Sequence, residues 1–142
     1  MIENTTEKIL IQTKNEEDEA LLAIKSGSLS SFVREELQNR HTLNYPPFKR
    51  FIKITYFGDK EQTTKARELL ANVFAEFLPE IFSGFVTKFK GKYITNCLIK
   101  IDPQKWSLSE IKESSKIDET LLTKLLSLPP SFDIFVDPED LL

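Results

Sequence analysis

The sequence predicts an α+β fold: an antiparallel sheet with two helices on one face, preceded by a short strand and two more helices. Three observations carry the expectation. From residue 51 onward the apolar period alternates between that of a strand and that of a helix, in the order β-α-β-β-α-β. The changes of period fall at turn signals: Gly58-Asp59, Gly91-Lys92 and Pro129-Pro130. The chain has 142 residues, 40% of them hydrophobic, enough for one buried core and too apolar for a disordered chain.

The first elements are short. Residues 8–13 form a β-prone run. Asn15-Glu16-Glu17-Asp18 then supplies a cap and an acidic first turn, favourable at a helix N-terminus. Ala20, Leu21 and Ile24 have helical spacing, and Ser26-Gly27-Ser28 stops that helix. A second helix fits residues 30–43, with Phe32, Val33, Leu37 and Arg40 at three- and four-residue steps. Tyr45-Pro46-Pro47-Phe48 ends it, and two fixed φ angles predict a stiff, extended connector.

Residues 51–57 alternate as a strand. Residues 60–78 read as a helix whose apolar stripe is Ala66, Leu69, Leu70, Val73, Phe74 and Phe77. Residues 85–90 and 93–101 form a hairpin about Gly91-Lys92. A second amphipathic helix fits 107–126, with Leu108, Ile111, Leu121, Leu122 and Leu125 as core and a weak middle at Ser114-Ser115-Lys116. Residues 132–136 are the last strand, before Asp137-Pro138. This order is the split βαβ, ferredoxin-like arrangement, which leaves one sheet face open.

Composition excludes several chemistries. One cysteine (Cys97) and one histidine (His41) build neither a zinc site, a disulfide nor a Cys/His pair. Four unclustered glycines leave no phosphate-cradling loop, so no cofactor, no metal site and no catalytic residue is expected. No apolar run approaches the roughly 20 residues of a membrane span, and the N-terminus lacks signal-peptide features. A soluble cytoplasmic protein without a membrane partner is the expectation. Cys97 reads as a buried, inert thiol, His41 as a helix-terminal cation or a solvated ring, and Trp106 as a packing residue.

Charge is partitioned. Residues 1–43 carry five basic and eight acidic side chains, residues 44–101 ten and five, and residues 102–142 four and nine. The stretches 41–57 and 81–101 hold no Asp or Glu. On an acidic chain such a local field suggests an anion-binding surface. Alternation places Phe51, Lys53, Thr55 and Phe57, then Val86, Lys88 and Lys90, then Lys92, Ile94, Asn96, Leu98 and Lys100 on the open face. Lysines beside aromatics suit single-stranded nucleic acid; lysines beside aliphatic pockets equally suit a short acidic, hydrophobic peptide. A docking surface within or between subunits is the third reading.

The residues also carry a family resemblance. Gln12-Thr13, then Phe32, Glu36-Leu37, Arg40 and Leu43-Asn44-Tyr45-Pro46-Pro47-Phe48, resemble the C-terminal part of the primosomal protein N′ family, the bacterial replication-restart helicases. Gly91-Lys92-Tyr93 is similar to that family's Gly-Arg-Tyr. Asp133-Ile134-Phe135-Val136-Asp137-Pro138 is similar to its closing Val-Asp-Pro strand. The resemblance covers nearly the whole chain. It implies a remnant of the second helicase lobe over 1–43 and a C-terminal domain similar to ribosomal protein S10 over 44–142.

The chain has no Walker motif, acidic helicase box or cysteine cluster, so ATP hydrolysis and unwinding are not expected in it. A fragment, a split gene product whose motor lobes lie on a separate chain, and a stand-alone adaptor stay open. The resemblance implies a non-catalytic domain acting in DNA replication restart at stalled forks. It would bind branched or single-stranded DNA and the acidic, Phe-terminated tail of single-stranded-DNA-binding protein. The family's pocket Arg falls on Lys92 and its Gln on Asn96; Lys keeps the charge without the bidentate fork, and Asn shortens the amide. For DNA the outward set gives Lys53, Lys88, Lys90 and Lys100, with Phe51 and Phe57 as stacking platforms. The alternative is a structural docking module like ribosomal protein S10 in a larger assembly. A small ferredoxin-like hydrolase lacks a positioned nucleophile or base.

Overall fold

The computed structural model describes residues 10–107 and 116–141, with the side chains of 85–87, 89, 107 and 116 outside that description. The chain forms two compact units, residues 1–39 and 40–142.

In the first unit, α1 spans Glu19–Ser26. The Asp18 carboxylate accepts from the N–H groups of Ala20 at 3.0 Å and Leu21 at 3.2 Å, satisfying donors the first turn leaves open. Gly27, at φ 72°, closes the helix, and Ser28 N–H reaches back to the Ala23 carbonyl at 3.0 Å. Helix α2 spans Leu29–Thr42 and runs into the second unit. Residues 10–13 of the expected first strand have no regular structure, and Leu10 is 86% exposed; residues 8 and 9 lie outside the described ones. The run is β-prone, but among the described residues no strand pairs with it.

The second unit is an α+β fold on a four-stranded antiparallel sheet. Its strands are β1 (Arg50–Gly58), β2 (Glu80–Phe89), β3 (Lys92–Ile101) and, after two short strands described below, β6 (Phe132–Val136). They lie in the order β2-β3-β1-β6. Helix α3 (Lys60–Val73) starts at a capping box: Asp59 accepts from Gln62 N–H, and the Gln62 side chain accepts from Asp59 N–H. Gly58 makes this closure possible, because a Cβ there would stand 2.7 Å from the Tyr56 ring and 2.9 Å from the Gln62 amide oxygen.

The core lies on the helix-covered face. Ile52, Ile54, Cys97, Ile99 and Ile101 meet Ala66 and Leu70 of α3, Phe74 at its C-cap, and Leu121 and Leu125 of α4 (Glu119–Leu126). Leu69, expected in the stripe, is 39% exposed, and the expected 60–78 helix ends earlier. Phe74 caps α3, a 3₁₀ turn covers Ala75–Phe77, and Leu78 is left 85% exposed. Lys124 ties this end to α4, donating to the Val73 carbonyl at 2.7 Å and pairing with Glu76.

Three further expectations are corrected. The connector after α2 is a compact turn: Tyr45 N–H returns to the Arg40 carbonyl at 2.8 Å, and the Tyr45 carbonyl accepts from Phe48 at 3.0 Å. The Pro46–Pro47 peptide is cis. Of the helix expected over 107–126, residues 119–126 form α4, capped by the Asp118 side chain, while 107 and 116–117 are strand and 108–115 lie outside the described residues. Ahead of it, β4 (Trp106–Ser107) pairs with β5 (Lys116–Ile117), while Leu108 and Ile111 fall outside the described residues.

The third correction concerns β2, which begins at Glu80, five residues before the expected start, so that 80–83 pair with 98–95 of β3. Between Ser83↔Thr95 and Lys88↔Tyr93, five steps along β2 answer two along β3. An odd number of extra residues reverses the faces. Lys88 therefore stands on the side of Tyr93, not beside Lys53 and Lys100.

Cys97 is fully buried, and burial pushes its thiol up to about 12 from 9.0. The raised value means stability from the neutral thiol is complete below pH 9 and is lost as pH rises toward 12. The expected slope there approaches about 1.4 kcal/mol per pH unit. Alkaline urea melts of the wild type and of Cys97→Ala check it: only the wild type should lose this component. A thiol reagent at pH 8 should stay unreacted with the native chain and react on unfolding.

Candidate nucleic-acid interface

The register of β1 on β3 fixes the outward face. Its pairs are Phe51↔Lys100, Lys53↔Leu98, Thr55↔Asn96 and Phe57↔Ile94, and β6 adds Phe135 beside Lys53. These are the residues that alternation assigned outward. The centre of this face is nonetheless not open: Phe51 is 4% exposed, Lys53 9%, Asn96 2% and Leu98 3%.

Each cation near the centre is held by the chain itself. Lys53 Nζ donates to the Asp140 backbone carbonyl at 3.0 Å. Lys100 Nζ pairs with the Glu80 carboxylate at 2.8 Å and lies 4.9 Å from the Tyr45 ring centroid and 5.8 Å from that of Phe51. Tyr45 meets Phe51 edge to face at 5.4 Å. Phe51 thus has its ring taken by the connector and presents no stacking platform. Asn96 is corrected too: its Oδ1 accepts from the buried Thr55 hydroxyl at 2.9 Å, so it offers a peptide no surface.

The cations missed as ion-pair partners are Lys49 and Arg50. Lys49 pairs with Asp102 at 2.6 Å, and that hydrogen bond, then its charge, holds the Asp102 carboxyl below its ordinary range. Arg50 forks onto Asp137 and donates to the Trp106 carbonyl at 2.7 Å; the Asp137 hydrogen bond raises the guanidinium further. The signal was present in the charge partition. Lys49, Arg50 and Lys53, all in the acid-free stretch 41–57, are each held by a residue of the acidic segment 102–142. Part of that partition is internal complementarity.

The other end of the sheet differs. The β2–β3 turn is Lys90-Gly91, one residue earlier than expected, with φ 48° and 83°. Two positive φ values match the twist of a two-residue hairpin, and Gly91 adopts its own without strain. Lys88, Lys90 and Lys92 are exposed around this turn. Lys88 Nζ lies 5.6 Å from the Tyr93 ring centroid. Phe57, 39% exposed, pairs with Ile94, one alternation from Lys92 on the same face. Of the expected set, the structure therefore brings Lys88, Lys90, Lys92 and Phe57 to one end of the sheet. It sequesters Lys53, Lys100, Phe51 and Asn96.

Among the described residues no group of three His, Cys, Asp or Glu side chains could hold a metal ion, and no helix is long and apolar enough to cross a membrane.

No family model matches the chain. Individual relatives do. The chain is 27% identical over 136 residues to the replication restart protein PriA of Synechocystis sp., covering 92% of this chain and 16% of that protein. It is 26% identical over 115 residues to that of Thermotoga maritima, covering 78% and 15%. It is 37% identical over 59 residues to that of Borreliella burgdorferi, covering 42% and 9%. The chain thus spans at most about one-sixth of the length of these relatives, and its resemblance to them is to their C-terminal region.

Proposed function

We propose that this chain, similar to the C-terminal region of replication restart protein PriA, is its non-catalytic DNA- and protein-binding domain, acting where replication restarts at stalled forks. The strand order β2-β3-β1-β6, with α3 and α4 sharing one core, supports the ferredoxin-like, S10-like topology. The observation that carries the function is the hairpin end. Lys88, Lys90 and Lys92 are exposed around one turn, Lys92 on the face of the half-exposed Phe57 and Lys88 on that of Tyr93, an arrangement that meets phosphates with lysine around the sheet end and a base with an aromatic ring on one side of it. This reading assigns no ATP hydrolysis to the chain.

Peptide capture narrows to Lys92. The acidic tail of single-stranded-DNA-binding protein would find a cation there and apolar contact at Ile94 and Phe57. Docking into a larger assembly is the second reading, favoured by β6. It is an edge strand with Ile134 39%, Phe135 49% and Val136 37% exposed.

An NMR titration of the labelled chain with single-stranded DNA, at two salt concentrations, tests the reading. Salt-sensitive shifts at Lys88, Lys90, Lys92 and Phe57 are expected. A dispersed spectrum without shifts would overturn DNA binding and leave docking. An acidic, Phe-terminated peptide should shift Lys92 and Ile94 and leave Asn96 unmoved.

A further inference from the structure

The geometry points to a strap. The segment after β6, residues 137–141, masks Lys53 and so holds the central outward face of the sheet in a DNA-excluding state. This rests on the DNA-binding reading above and adds a second, latent contact to it.

The strap is built from the turn outward. At Asp137 the backbone enters the left-handed region, φ 49°, which Asp tolerates better than most residues. The chain thereby leaves the strand direction. Asp137 N–H donates to the Phe51 carbonyl at 2.8 Å, while its carboxylate is gripped by the Arg50 fork. Three residues on, the Asp140 carbonyl accepts from Lys53 Nζ at 3.0 Å. Pro138 restricts the backbone between the two anchors.

The consequence is electrostatic. Lys53 sits diagonally across β1 and β3 from Lys100, on the face where Phe51 and Phe135 also lie. Lys53 is 9% exposed and its ammonium is engaged by a backbone carbonyl, with Glu139 and Asp140 carried beside it in sequence. Both residues are exposed, so the strap brings two carboxylates that repel a phosphate near Lys53. Release of the strap removes them and presents the ammonium. The ligand class is a polyanion with a backbone of phosphates.

Two variants test the strap by fluorescence anisotropy with a labelled single-stranded oligonucleotide. One ends the chain at Val136; the other is Arg50→Gln, which frees Asp137 without shortening the chain. Both should bind DNA tighter than the wild type, with a salt dependence steeper by about 1 for the additional phosphate that Lys53 engages. Arg50→Gln is the sharper of the two, because it removes a cation. Simple charge counting predicts weaker binding from it, and the strap predicts tighter.

Lys53→Gln should leave the wild type unchanged and reverse the gain in either variant. Cooperative thermal melts establish that each variant is folded. Folded variants without a gain, or a gain that Lys53→Gln does not reverse, overturn the strap. Wild-type binding that is insensitive to Lys88, Lys90 and Lys92 overturns the hairpin reading instead, so the two failures are told apart.

Discussion

Lys88→Glu, Lys90→Glu and Lys92→Glu combined are expected to abolish binding of single-stranded DNA by this chain. The three lysines are exposed around a single hairpin turn, Lys88 and Lys92 on opposite faces, so a strand that wraps around that end meets all of them. Each phosphate deprived of its lysine flattens the salt dependence by about 1. Reversal goes further than neutralisation, since a carboxylate beside a phosphate repels it. None of the three positions packs in the core, so the melting curve of the triple variant should overlay that of the wild type. Anisotropy at two salt concentrations reads both quantities. Retained affinity with an unchanged salt slope would place the DNA elsewhere. Lys53→Gln serves as the contrast: it has the same charge character in sequence, yet in the intact chain it should change nothing.

Phe74→Ala is expected to destabilise the chain by about 3–5 kcal/mol, the range for emptying a buried aromatic site. Phe74 is fully buried and caps α3, where the helix gives way to the 3₁₀ turn, so neighbours on both sides lean on it. Collapse into the space is opposed by Lys124, which pins the Val73 carbonyl to α4. Against a typical stability of about 5–15 kcal/mol, this is a large fraction. Urea melts measure it through the midpoint. Leu78→Ala, four residues on, is the control: at 85% exposure it should stay within about 0.5 kcal/mol of the wild type. Equal effects at both positions would refute this core.

Much of the second unit is legible in the residues alone. The alternation of 51–57 and 93–101 puts Ile52, Ile54, Cys97, Ile99 and Ile101 against the helices, and they are the core. Strict period two leaves little choice when one face must be buried. The α3 stripe is legible at Ala66, Leu70 and Phe74 for the same reason. Local rules supply caps and stops as well: Asp18 and Gly27 bound α1 because a helix end must satisfy its own backbone groups.

Where residues and structure part, the cause is different. Counting along one strand puts Lys88 on the wrong face, because the count fails where β2 slips against β3. Alternation is a property of a continuous pairing, and the one sign of the break is Gly84, a glycine within the strand where the register shifts. Amphipathic spacing likewise carries a helix over 107–126 only if it runs through Ser114-Ser115-Lys116. At Lys116 the chain instead pairs back on Trp106–Ser107.

By itself the sequence determined the inward residues of β1 and β3, the α3 stripe at Ala66, Leu70 and Phe74, the resemblance to replication restart proteins and the separation of basic from acidic segments. Tertiary structure alone decided which cations remain available. Lys53, Lys88 and Lys100 are indistinguishable as residue types on β-prone runs. Their fates diverge because Asp140 and Glu80, from elsewhere in the chain, hold Lys53 and Lys100, whereas Lys88 stays exposed over the Tyr93 ring of its own hairpin. Availability of a charge depends on the distance to its nearest counter-group, and that distance is set by packing between segments remote in sequence.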